Sequence, residues 1–166
     1  MKIILDGCDG TGKTTLANQL AKIHLLDVCH CTAADPADYD FYRQTSRKEN
    51  VVWDRHTLGE LIYPKIFNRK PQLTPEEARM IIAYARSEGA KFFVLTANLA
   101  ALKYRLDNRG TGREDPRIIE QLQWINDEFL NYAVMFNIPI IDTSAMTMGQ
   151  IIDFIDASKQ DQTVIH

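Results

Sequence analysis

The chain has 166 residues, of which 45% are hydrophobic and 25% charged, a balance typical of one globular domain with its own core. Its formal net charge of -3 comes without a basic tract, which argues against a general nucleic-acid binder. No apolar run approaches the roughly 20 residues of a membrane-spanning helix, and Met1-Lys2 leads directly into a short strand, so we expect neither membrane insertion nor a signal peptide.

A glycine-rich turn connects the first predicted strand to the first predicted helix. The strand covers residues 1–5 and the helix residues 15–23, with Leu16, Leu20 and Ile23 on its buried face. The turn fits G-x-x-x-x-G-K-[ST], whose backbone N–H groups converge on a phosphate at the helix N-terminus. We therefore predict a nucleoside triphosphate site, with Lys13 on the β- and γ-phosphates and Thr14 on Mg²⁺. The residues expected to bind ATP here are Gly7, Cys8, Asp9, Gly10, Thr11, Gly12, Lys13, Thr14 and Thr15.

The second and third predicted strands cover residues 27–32 and 51–55, with a helix over 37–48 between them. Cys29-His30-Cys31 lies on the second strand, where neighbouring side chains point to opposite faces, and no second ligand pair follows at a zinc-like spacing. We expect ordinary strand residues there. Because the three cysteines do not suggest a disulfide framework, the chain fits a reducing cytoplasm.

The end of the third strand, Asp54-Arg55, separates three classes of triphosphate-binding protein. The Asn-Lys-x-Asp signature of GTPases is missing from the sequence, and the Asp-Glu ending of motor ATPases is replaced by Asp-Arg. A carboxylate followed by arginine suits transfer to a second substrate, since Asp54 can hold Mg²⁺ or polarise the acceptor while Arg55 clamps a phosphate. The alternative is a structural ion pair.

The remaining elements complete an alternating pattern of strands and helices. We predict helices over 57–68 and 75–88, the second opened by a Thr74 cap with Pro75 and Glu77, and a strand over 91–96. Asn98 caps the next helix, and Asp115-Pro116 opens the longest one. The last strand covers 138–142 and the last helix 148–158. The pattern predicts a three-layer α/β/α fold with a five-stranded parallel sheet, in a single domain over residues 1–166.

A glycine-rich basic segment, residues 109–114, lies between two of these helices. Phosphoryl transfer needs neutralised charge and excluded water, and a loop carrying Arg109 and Arg113 can supply both by closing over the site. We predict a lid over about 107–116. A solvated loop without such a role is the alternative.

Two segments resemble the thymidylate kinase-like branch of the nucleoside monophosphate kinases, within the P-loop kinase superfamily. Residues 7–15 resemble the family's G-x-D-G-x-G-K-[ST]-T, and residues 54–63 its D-R-[YH]-x-x-S-x-x-A-Y. The second segment is most similar to short kinases encoded by bacteriophages. The resemblance implies that Asp9 meets the acceptor sugar, that Arg55 holds its phosphate and that Tyr63 lies beside the deoxyribose. It also implies lid arginines at Arg109 and Arg113, with the ATP-binding Arg105 on the helix that leads into the lid, and a homodimer.

The sequence departs from the family where the acceptor base is read. Gly59 replaces a serine, Pro64 replaces a glutamine, and the segment between the second and third strands is much shorter than in ordinary thymidylate kinases. We expect the helix over 37–48 to supply the base contacts, although its aromatic residues suit the core equally well. The candidates on it are Tyr39, Phe41, Tyr42, Arg43 and Arg47. Glu60 is a further candidate for substrate binding, or for a general base.

The leading hypothesis is an ATP- and Mg²⁺-dependent deoxynucleoside monophosphate kinase of the cytoplasm, or of the host cytoplasm if phage-encoded. Its catalytic residues would be Lys13, Asp54, Arg55, Arg109 and Arg113. One alternative changes only the acceptor, to a modified pyrimidine nucleotide such as 5-hydroxymethyl-dUMP, a deoxynucleoside or a DNA hydroxyl. Another is an ATP-binding module without transferase activity.

Overall fold

The computed structural model describes residues 1–110 and 114–158, so the predicted lid arginine Arg113 lies outside the described residues. Five strands form one parallel sheet in the order β2-β3-β1-β4-β5, which confirms the predicted fold class. The strands are β1 (Lys2–Gly7), β2 (Asp27–His30), β3 (Val51–Asp54), β4 (Ala90–Thr96) and β5 (Ile140–Asp142).

Helices cover both faces of the sheet. In chain order they are α1 (Lys13–His24), α2 (Tyr39–Thr45), α3 (Gly59–Ile66), α4 (Pro75–Ser87), α5 (Leu99–Asp107), α6 (Pro116–Glu120), α7 (Leu122–Met135) and α8 (Met148–Ala157). The predicted caps are present: Thr74 and Glu77 form a capping box at α4, and Asn98 accepts the Ala101 N–H at α5. None of the described helices is long and apolar enough to cross a membrane.

The helix predicted to begin at Asp115-Pro116 and to be the longest is interrupted. The backbone of Gln121 leaves the helical region (φ −108°, ψ 15°) and separates α6 from α7. Ile118 and Leu122, on either side of the break, are both buried. The apolar spacing continues across the break, so the sequence pattern does not reveal it.

Strand alternation places one core on each side of the sheet. Ile3, Leu5 and Phe93 pack with α1 and α8, whereas Ile4, Trp53 and Phe92 pack with α3, α4 and α7. Because both faces are covered, the central strands β1, β3 and β4 contain near-continuous apolar runs.

The topology brings two functional segments to the same edge of the sheet. β1 and β3 are parallel neighbours, with Leu5 paired to Asp54, so their carboxyl ends lie side by side. The glycine-rich loop follows β1 and Arg55 follows β3. Open parallel sheets bind ligands at this edge, where the strand order reverses.

Candidate active site

The glycine-rich loop is held close to its neighbours by residues that lack a Cβ. Gly7 has φ 145°, and a Cβ there would lie 2.3 Å from the carbonyl oxygen of Leu95. Gly10 (φ 84°) would bring a Cβ within 3.1 Å of the Leu102 carbonyl oxygen. These two positions admit only glycine without rearrangement, which explains the loop composition.

Lys13 opens α1 and turns back into the loop. Its Nζ donates to the Cys8 carbonyl oxygen at 2.6 Å and lies 3.4 Å from the Thr11 hydroxyl. Burial, together with the positive charge of Arg55, lowers the pKa of Lys13, although Asp9 and Asp54 act in the opposite direction. A phosphate that enters the loop would therefore meet the ammonium group of Lys13 already in position and largely shielded from water.

Thr14 and Asp54 form a candidate magnesium site between β1 and β3. The Thr14 hydroxyl donates to Oδ2 of Asp54 at 2.5 Å, and His30 Nδ1 lies 3.2 Å from the same oxygen. Oδ1 of Asp54 is buried and has no hydrogen-bond partner in the described part of the chain. A hydroxyl and an unpaired carboxylate oxygen suit Mg²⁺, which takes few protein ligands and completes its shell with water and phosphate.

A cleft of 680 Å³ lies over the glycine-rich loop, and we name it the loop cleft. Thr14 and Thr15 line one side. On the other side Arg105 donates to the Gly10 carbonyl oxygen (3.1 Å) and to both oxygens of Thr143 (2.8 and 2.9 Å). The lining of the loop cleft also includes the apolar side chains of Met146, Met148 and Ile151. The cleft therefore combines phosphate-binding donors with a surface suited to a nucleobase.

A second cavity of 360 Å³ lies between α3, α7 and the loop that follows β2, and we name it the α3 cavity. Asp9 and Arg55 stand at one end, next to the loop cleft, and Tyr63 lies on the α3 wall. Arg69 and Gln72 belong to its lining as well. Arg55 lines both cavities.

Asp9, Arg55 and Tyr63 form a hydrogen-bonded cluster where the cavities meet. Arg55 donates to one Asp9 oxygen, and the Tyr63 hydroxyl donates to the other at 2.6 Å. Burial alone would raise the pKa of Asp9, but Arg55, Lys13 and the Tyr63 hydrogen bond outweigh it and lower the pKa. Asp9 is therefore ionised at neutral pH.

The backbone around Arg55 is unusual. Arg55 has φ 74°, a left-handed conformation that costs a non-glycine residue roughly 1 kcal/mol or more. The buried carboxylate of Asp6 accepts two backbone N–H groups from the turn that follows Arg55, those of His56 at 2.8 Å and Leu58 at 3.1 Å. Asp6 directly precedes Gly7, so it joins the glycine-rich loop to the turn that presents Arg55.

Arg109 lies at the rim between the cavities. It lines the loop cleft and forms a 3.0 Å ion pair with Glu114, which lines the α3 cavity. The pair therefore spans the mouths of the two cavities, at a place suited to the predicted lid.

The buried Glu60 is not free to act as a base, because its carboxylate is fully engaged. Arg69 donates to it through both terminal nitrogens, at 2.7 and 2.6 Å, and the backbone N–H of Gln72 donates at 2.8 Å. Arg69 follows the helix predicted over 57–68, and no motif in the sequence indicates its place in the α3 cavity. The long-range pairing with Glu60 has no local signal in the sequence.

The structure places Tyr39 and Arg43 away from both cavities. The Arg43 guanidinium lies over the ring of Tyr84 on α4, 5.2 Å from its centre, and Tyr39 packs against the core. Tyr42, another candidate on the same helix, does line the α3 cavity. The base-reading role expected for Tyr39 and Arg43 is therefore not supported by their positions, because α2 turns Tyr42 inwards.

Cys8 and His56 are buried near the site without a free reactive group. Burial raises the pKa of Cys8 to about 12, and its Sγ lies 3.4 Å from Asn126 Oδ1. Burial lowers the pKa of His56 to about 3, and its ring contacts Tyr42 and Trp53. Both side chains are neutral and support the surrounding elements.

The chain is similar to several known proteins, although no model of a known protein family matches it. It is 26% identical to the SPbeta prophage-derived protein YorR of Bacillus subtilis over 137 residues, which are 79% of this chain and 82% of that protein. The crystal structure of YorR, in complex with phosphorylated GDP, matches with a TM-score of 0.79 at 22% identity, covering 94% of each chain.

Two kinases of known activity are similar in structure at lower identity. Deoxyadenosine kinase from M. mycoides with bound dATP has a TM-score of 0.59 at 18% identity, covering 94% of this chain and 98% of that one. Thymidylate kinase from Candida albicans has a TM-score of 0.58 at 15% identity, covering 92% and 88%. These likenesses show the fold of P-loop kinases. A thymidylate kinase-like specificity, a phage source, a homodimer and a cytoplasmic location stay predictions.

Proposed function

We propose that the chain is an ATP- and Mg²⁺-dependent kinase that transfers the γ-phosphoryl group of ATP to a deoxynucleoside monophosphate. The observation that carries this proposal is the position of Arg55, which lines both the loop cleft and the α3 cavity. A guanidinium at that junction can hold the acceptor phosphate in line with the donor phosphate.

On the donor side, the loop amides and Lys13 would bind the β- and γ-phosphates, and Arg105 would neutralise charge from the opposite wall. Thr14 and Asp54 would hold Mg²⁺, which when bound neutralises charge on the phosphates. Arg109 would leave Glu114 and move towards the transferring group as the rim closes. Such closure excludes water, which would otherwise hydrolyse ATP without transfer.

On the acceptor side, the cluster around Asp9 would position the nucleotide. Asp9 is ionised and can accept a hydrogen bond from the sugar hydroxyl, while the Tyr63 ring provides a wall beside the sugar. An incoming phosphate would share Arg55 with Asp9. The phosphorylated GDP bound to YorR and the dATP bound to deoxyadenosine kinase support nucleotides as the substrate class.

A deoxynucleoside kinase is the second candidate, and one observation favours it. Arg55 is already paired with Asp9, whose carboxylate lines the α3 cavity beside the loop cleft and could accept the proton of a 5′-hydroxyl there, although its lowered pKa makes it a weaker base. Asp54 and Glu60 are less suited to that role, since Asp54 stands beside Thr14 and Glu60 is held by Arg69.

The test is ADP release in a coupled assay with deoxynucleoside monophosphates, ribonucleoside monophosphates, deoxynucleosides and 5-hydroxymethyl-dUMP as acceptors. We expect turnover with one or more deoxynucleoside monophosphates and loss of at least about a hundredfold in Lys13→Met and Arg55→Ala. Arg79→Ala is the matched control, because Arg79 pairs with Glu76 on α4 and lines neither cavity. Turnover with deoxynucleosides alone would replace the leading proposal by the second, and ATP binding without transfer would contradict both.

A further inference from the structure

We propose that the Glu60–Arg69 pair selects the base of the acceptor, favouring bases with an oxygen rather than an amino group at purine position 6 or pyrimidine position 4. This inference rests on the proposed function and concerns the substrate of the same site. It assigns a role to an arginine that belongs to no motif in the sequence.

The chain returns to the α3 cavity immediately after α3. Asn68 adopts a left-handed conformation (φ 49°), which asparagine tolerates at a helix C-terminus, and the Arg69 N–H then bonds the Pro64 carbonyl oxygen at 3.0 Å. The reversal turns the Arg69 side chain back along the helix to Glu60, nine residues earlier. The Gln72 N–H reaches the same carboxylate. Segment 68–72 is therefore fastened to the cavity wall through Glu60.

Glu60 acts as the positioning group of this pair. Its side chain is 3% exposed, and both carboxylate oxygens accept hydrogen bonds from Arg69. Such a bidentate pair fixes the plane of the guanidinium as well as its position. Arg69 itself is 40% exposed and lines the cavity, so its orientation is set before a ligand enters.

Arg69 retains donors for a ligand. A guanidinium has five N–H donors and no acceptor, and Glu60 takes two of them. The other three have no hydrogen-bond partner within residues 1–110 and 114–158. A group that only donates favours a carbonyl oxygen and disfavours an amino group at the same place.

The α3 wall indicates where the base would lie. Glu60, Tyr63 and Phe67 follow at the spacing i, i+3 and i+7, which puts them on one side of the helix, and all three line the cavity. With its phosphate at Arg55 and its sugar at Tyr63, a nucleotide would extend its base towards the end of the cavity that Arg69 and Gln72 line. Arg69 would then meet the O6 edge of guanine or the O4 edge of thymine and uracil.

The test compares kcat/KM for dGMP, dTMP and dUMP with that for dAMP and dCMP, in the wild type and in Arg69→Lys. Lysine keeps the positive charge beside Glu60 but cannot present a planar fork. We expect the wild type to favour at least one oxygen-bearing base by about tenfold or more, and the variant to reduce that ratio several-fold. Arg79→Lys, outside both cavities, should leave the ratio unchanged.

The outcomes separate this inference from the proposed function. A wild-type preference for dAMP or dCMP, or an unchanged ratio in a folded Arg69→Lys protein, would overturn the base selection while leaving the kinase proposal intact. If no acceptor supports ADP release, the proposed function fails. In that case the equilibrium affinities for dGMP and dAMP are measured by calorimetry and compared. Equal affinities would refute the role of Arg69.

Discussion

Replacing Arg55 with glycine and, separately, with alanine distinguishes the contribution of its side chain to stability from that of its backbone conformation. The left-handed φ of 74° costs an L-residue about 1–2 kcal/mol, whereas glycine adopts it without a steric penalty. We therefore expect Arg55→Gly to be more stable than Arg55→Ala by about 1 kcal/mol. For a domain of this length the difference corresponds to roughly 2–4 °C in Tm.

Both variants also lose the ion pair with Asp9. The Asp9 side chain is only 1% exposed, but that of Arg55 is 42% exposed, so solvent screens the pair and its loss costs less than the roughly 3–5 kcal/mol of a fully buried one. Tyr63 still donates to Asp9. We expect each variant to be about 1–3 kcal/mol less stable than the wild type at neutral pH.

The pH dependence of this loss has a defined sign. In the wild type the pKa of Asp9 lies below its ordinary value of 3.8, so Asp9 contributes stability above that value and loses it as the pH falls through the folded-state pKa. Without Arg55, burial dominates and the pKa of Asp9 rises, so the variants protonate Asp9 at a higher pH. The stability gap between wild type and variant should therefore narrow as the solution is acidified.

Urea unfolding at neutral and acidic pH measures both effects, and ADP release measures activity. Both variants should lose transfer to the same extent, because neither has a guanidinium at the junction of the cavities. An alanine variant as stable as the glycine variant would refute the strain argument. A gap that widens on acidification would refute the assignment of Asp9 as the destabilised group.

Three other substitutions test separate parts of the site. His30→Ala removes the imidazole that lies 3.2 Å from Asp54, and it should weaken ATP binding several-fold in the presence of Mg²⁺ but not in EDTA. The control is His24→Ala, which breaks a similar pair with Asp156. Equal losses of affinity in both buffers would contradict a role near the metal. Gly7→Ala would place a Cβ 2.3 Å from a carbonyl oxygen and should lower the free energy of unfolding by about 3 kcal/mol or more. In Gly12→Ala the new Cβ meets nothing within 4 Å, so the positive φ alone should lower that free energy by only about 1 kcal/mol. Similar denaturation midpoints for the two variants would contradict this difference. Asp6→Asn leaves one carbonyl oxygen to accept two backbone N–H groups, so the KM for the acceptor nucleotide should rise about tenfold. An unchanged KM would show that the turn after β3 does not need these hydrogen bonds.

The features of the fold that depend on local pattern could be predicted from the sequence. Strands β1, β3 and β4 contain short apolar runs, the caps at Thr74 and Asn98 lie where their residue types indicate, and the five-stranded parallel sheet agrees with the expected architecture. The break at Gln121 could not be predicted, because the buried spacing is the same on both sides of it.

The site was predictable only where its residues form a motif. The residues of the glycine-rich loop are contiguous in sequence, as are Asp54 and Arg55, and the topology brings these two motifs together. Arg69 depends on a pair with Glu60 that forms only after the chain reverses at Asn68, and a single sequence does not encode that contact as a pattern. Arg43 illustrates the complementary case, since its guanidinium lies over the ring of Tyr84 on α4 and the sequence contains no signal for that long-range contact.

The position of Arg55 shows how the loop and the acceptor end are mechanically joined. Asp6 ends the apolar part of β1, yet it is buried, and its two oxygens accept backbone N–H groups from the turn after β3. Burial raises the pKa of Asp6, even though these hydrogen bonds and the charges of Lys13 and Arg55 act against that rise. The unfavourable burial of this acid is explained if its hydrogen bonds are needed to hold the left-handed Arg55 in place relative to Gly7. A displacement of the glycine-rich loop would then move the guanidinium with it, so the two phosphate sites would keep their spacing.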